Sequence, residues 1–143
     1  NTARILDVKY YVLLPSAHAV GTSLDNVQWE TILRSVSARG GFRMEFGAGG
    51  GPREIAHFLI LDKRMPRSLA FCVNKLCNNL NYLSEGGDLG QASRDRISAL
   101  ENGLLSKSID DIFDFGLHQF LQKTLSEFSG ISHQIEQDFR FYT

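Results

Sequence analysis

One stretch sets the terms for the rest of the chain. From Asp62 to Leu83 it reads D-K-R-M-P-R-S-L-A-F-C-V-N-K-L-C-N-N-L-N-Y-L. Leu69, Val73, Leu76, Leu80 and Leu83 recur at alternating spacings of four and three, which is one stripe down a helix. Such a stripe needs a helical neighbour to cover it. Pro66 suits the first turn, where its missing N–H has no intrahelical partner. Phe71, Cys72 and Tyr82 widen the apolar surface, so the helix is expected to contact neighbours on more than one side. Its polar positions are mostly amides and offer no chemistry.

The remaining segments read as further helices. Ile5, Val8 and Val12 form one stripe and Leu6, Tyr10 and Leu13 an adjacent one, giving a helix over Asn1 to Leu14 that Pro15 ends. Asp25 reads as an N-cap with Gln28 three residues on, ahead of Trp29, Ile32, Leu33 and Val36. Gly40-Gly41 weakens helix locally, and Phe42 to Phe46 resumes it for a turn. Gly49 to Gly51 reads as a flexible connector. A phosphate-cradling loop there lacks both a preceding strand and a following Gly-Lys-Ser/Thr. Pro52 starts a short helix. Gln91 to Leu105 is helical, and Ser108, with Asp111 three residues on, caps a last helix of roughly 30 residues. No period-two strand pattern stands out. The expected fold is all-α, an antiparallel bundle of about five or six helices in one domain over residues 1–143.

Composition narrows the class. The chain has 143 residues, 43% hydrophobic and 22% charged, with net charge -1. That is one globular domain without the basic surplus that nucleic acid or anionic lipid requires. No apolar run approaches the roughly 20 residues that cross a bilayer. Neither nucleic acid nor a membrane is an expected partner. Cys72 and Cys77 read as two small core residues, consistent with a cytoplasmic chain.

Four histidines, His18, His57, His118 and His133, stand in no metal-binding pair, so neither metal nor cofactor is expected. Arg4, Asp7, Arg34, Asp62 and Arg67 each adjoin an apolar face, where a charge is costly unless paired. From these, Arg4, Asp7, Asp62 and Arg67 form the candidate polar cluster. Interhelical salt bridges and caps are the preferred reading over a groove.

Four segments carry a resemblance: Thr2 to Ser16 (T-A-R-I-L-D-V-K-Y-Y-V-L-L-P-S), Asp25 to Ala38, Phe58 to Cys72, and Gly116 to Leu121 (G-L-H-Q-F-L). In order and spacing they resemble the C-terminal half of the bacterial alpha-E domain family. The resemblance implies an all-helical domain whose Glu-Arg motif would stand just before Asn1. Arg39-Gly40-Gly41-Phe42 and Gly49 to Gly51 depart from the family's pattern. The resemblance also implies neighbours of two kinds, an ATP-grasp protein and a transglutaminase-like protease, in a peptide-modifying or peptide-synthesising system. It carries over no catalytic residue.

Two functions follow as expectations. The first is a non-catalytic interaction module, with those neighbours or an N-terminal half as protein partners, or a homodimer formed through the two stripes of the first helix. The alternative is part of an enzyme acting through a polar groove.

Overall fold

A computed structural model describes residues 1–11 and 23–140. Among them are eight helices and no strand: α1 Thr2–Tyr11, α2 Ser23–Ser35, α3 Arg39–Phe46, α4 Pro52–Ile60, α5 Leu69–Leu83, α6 Gln91–Leu105, α7 Ile109–Phe115 and α8 Leu117–Phe139. The expected all-α class is what the chain adopts, with more helices than five or six. Pro15 and His18 lie outside the described residues, as do Val12 and Leu13 of the α1 stripes.

Four helices run antiparallel to their neighbours in the order α5, α6, α8, α1. Asn74 Nδ2 donates to Glu101 Oε1 at 2.8 Å across α5 and α6. Asp138 at the end of α8 accepts from Ser93 N and Oγ at the start of α6, at 2.9 and 2.6 Å. Asp7 of α1 meets His118 and Gln122 near the start of α8, whereas Arg4 lies beside Phe128 and His133 further along it. Helix α2 packs on α1, with α3 and α4 beyond it, and α4 meets α7, where Arg53 forks onto Asp110. Leu33, Leu59, Ile60, Ile97, Ile112, Leu121 and Ile131 are the fully buried centre.

Several local expectations change. The last helix is two, because Gly116 turns at φ 109° between α7 and α8, a region open to glycine and strained for other residues. Helix α5 starts at Leu69 rather than near Pro66, since Ser68 takes the N-cap and accepts from Phe71 N at 3.0 Å. Leu69, Val73 and Leu80 are buried as the stripe requires, Leu76 is half-buried, and Leu83, Cys72 and Tyr82 are exposed. Cys77 alone of the two thiols joins the core. Gly40 and Gly41 lie inside α3. In the glycine stretch, a Cβ on Gly50 would stand 2.2 Å from the Phe42 ring. That ring stacks on Phe46 and meets Phe58 edge-on, so Gly50 is a floor for an aromatic cluster.

Candidate functional site

Ala3, Leu6 and Lys9 share one face of α1 by steps of three, and all three are buried. A lysine there must leave water, which is costly unless its donors are matched. The Lys9 ammonium pairs with the Asp25 carboxylate and donates to Gln28 Oε1 at 3.1 Å. It also lies 5.4 Å from the centre of the Trp29 ring, within range of a cation–π attraction. Asp25, Gln28, Trp29 and Ile32 follow the helical spacing of the buried face of α2. Asp25 is therefore the third residue of α2 and half of a buried ion pair, not its N-cap.

The other face of α1 turns Asp7 toward α8. His118 Nδ1 lies 2.7 Å from Asp7 Oδ1, and Gln122 Nε2 donates to Asp7 Oδ2 at 2.6 Å. His118 and Gln122 are four residues apart, so one helical turn presents both. The contact fixes the ring with Nδ1 toward Asp7.

The Lys9–Asp25 pair and His118 border a cavity of about 290 Å³. Lys9, Asp25, Trp29 and His118 line it with Leu6, Pro52, Phe113, Leu117 and Leu121, and Gly116 and Gln119 complete its wall. An ammonium, a carboxylate, an imidazole and an indole thus border one largely apolar space. Among the described residues no group of three or more His, Cys, Asp or Glu side chains is placed to hold a metal ion. No helix among them is long and apolar enough to cross a membrane.

A family model for a predicted alpha-helical domain with a conserved ER motif matches residues 1–139. The chain belongs to the Alpha-E family. No curated protein and no solved structure matches it. No Glu-Arg dipeptide occurs within the 143 residues, so the pocket of this Alpha-E chain is built from other groups.

The candidate cluster Arg4, Asp7, Asp62 and Arg67 does not come together. Asp7 alone reaches the pocket's network. Arg4 is exposed on the far side of α1, in a groove with Ser129 and His133. Asp62 closes the turn before α5, accepting from Arg64 N at 2.8 Å and from Arg64 Nη2 at 3.3 Å. Burial pushes its carboxyl up, but the Arg64 amide and guanidinium outweigh that and hold it below the ordinary aspartate value. Arg67 is exposed, and its backbone carbonyl accepts from Thr2 Oγ1 at 2.7 Å. Arg34 is exposed beside Glu30. Of the Alpha-E chain's histidines, His57 and His133 are exposed, and His118 enters the network. Lys9, Gln28 and Gln122 were absent from the candidates. The available signal for Lys9 was its place in register with Ala3 and Leu6.

Proposed function

We propose that this Alpha-E chain is a non-catalytic helical module working beside ATP-grasp and transglutaminase-like proteins in a bacterial peptide-modifying or peptide-synthesising system of the cytoplasm. The observation that carries this reading is how the buried charges are used. Asp7 is engaged by His118 and Gln122, Lys9 by Asp25 and Gln28, and Asp62 by Arg64. The first two networks join α1 to α8 and α1 to α2, Asp62 closes the turn before α5, and Val27, Met44, Tyr82 and Phe115 remain exposed. Co-expression with an ATP-grasp protein and a transglutaminase-like protein of the kinds the family resemblance implies tests the reading. Stoichiometric co-purification of either is expected, with a homodimer as the other accepted assembly. A 16.0 kDa monomer that joins neither protein at micromolar concentration defeats it.

The pocket favours a second reading, part of an enzyme, because Lys9, Asp25 and His118 border one cavity. His118→Ala separates the two. Loss of a neighbour's turnover by about 100-fold or more, with the complex intact, is the scale of a lost acid–base group and supports the second.

A further inference from the structure

We propose that the pocket between α1, α2 and α8 binds a free α-amino acid with a large apolar side chain. The assignment rests on the second reading's premise that the pocket is a site, and requires no reaction there.

A buried ion pair joins two helices no more strongly than an apolar pair of similar size, because each ion gives up its hydration, so stability alone does not account for it. Here the pair borders a cavity, where both ions can meet a ligand. Lys9 Nζ and Asp25 Oδ1 are in direct contact, so the wall offers opposite charges side by side. An α-amino acid carries its ammonium and carboxylate on one carbon and matches that spacing. A dipeptide separates its terminal α-carbons by about 3.8 Å and its charged ends by more, and does not.

Hydrogen-bonding capacity agrees. Lysine has three donors, of which Asp25 and Gln28 take two. The third can serve a ligand carboxylate. A carboxylate has about four acceptor sites, enough for Asp25 to take the ligand's ammonium beside Lys9 and its other contacts. The wall is neutral as a pair, so a ligand with a single charge would bring an uncompensated charge into a mostly apolar space. Leu6, Trp29, Phe113 and Leu121 supply the surface for the side chain. The volume, about 290 Å³, falls just below the roughly 300–1,000 Å³ of sites for drug-sized molecules and suits one amino acid.

Trp29 is the only tryptophan and stands on the pocket wall, so its emission reports occupancy. The intact chain is titrated with L-leucine, 4-methylpentanoate, isoamylamine and leucyl-leucine. Leucine should give a saturable change at millimolar concentration. Each comparator should bind about tenfold more weakly or worse, the effect of losing a charge-assisted hydrogen bond. The Lys9→Met/Asp25→Leu double variant, folded by circular dichroism, should lose the response. No saturation with leucine, equal binding of a singly charged comparator, or an unchanged response in the folded double variant overturns the proposal. If the double variant unfolds, the comparators on the native chain decide. Turnover is not read, so leucine binding and enzymatic function can fail separately.

Discussion

Removing one member of the Lys9–Asp25 pair strands the other without water. Lys9→Met alone should therefore lower stability by about 3–5 kcal/mol in urea unfolding, and adding Asp25→Leu should recover most of it. A single variant as stable as the native chain would mean that Asp25 finds water or another partner. Asp7→Ala leaves His118 and Gln122 half-buried or exposed without their acceptor. Its cost should be about 0.5–1.5 kcal/mol, the net worth of an intramolecular hydrogen bond whose surviving partners water can reach. Sequence reasoning picked out Asp7 because a charge beside an apolar stripe needs a partner. It could not name His118, which lies 111 residues away. Asp25 shows the opposite failure. A local capping rule explained it well enough to hide a partner 16 residues upstream.

Helix ends were legible where the rule is local, and breaks were not where the pattern runs on. Ser108 caps α7 as its sequence says, accepting from Asp111 N at 3.1 Å while Asp111 Oδ2 accepts from Ser108 N. The division of α7 from α8 was hidden because Phe113, Leu117, Phe120 and Leu121 keep a helical period across Gly116. Gly116→Ala tests the break. It forces a Cβ into φ 109° and within 2.2 Å of Gln119 Oε1, a strain of about 1–3 kcal/mol, measurable as a lower denaturation midpoint. At the far end of α8, Asp138 is held below the ordinary aspartate value by the Ser93 hydroxyl, then by Gln134 and the Ser93 amide. A depressed folded value means that this contact stabilises above the unfolded pKa and is lost as pH falls through the folded one. Protection of the Ser93 amide, judged against the exchange rate of the unfolded chain at the same pH, should fall over that acid range, and Asp138→Asn should remove that pH dependence.

At the scale of the molecule, the α5 stripe and the lack of period-two pattern were enough for the all-α class. Core membership was less legible, since a stripe gives a face and not the neighbour's extent. Leu83 follows the period yet is exposed where α5 outruns its cover. Leu33, fully buried, is the sharper probe: Leu33→Ala should cost about 2–5 kcal/mol. The antiparallel seating of α1 on α8 has a further consequence during synthesis. Among the described helices, α1 leaves the ribosome first and its partner α8 last. With 111 residues between Asp7 and His118, and elongation near 5–20 residues per second, α1 waits roughly 5–20 s for α8. During that interval Leu6 has no α8 to cover it, and Asp7 lacks the imidazole and amide that hold it. The α5–α6 hairpin, by contrast, can close as soon as it emerges. Vectorial synthesis thus lets the α5–α6 hairpin close before α1 gains its cover from α8.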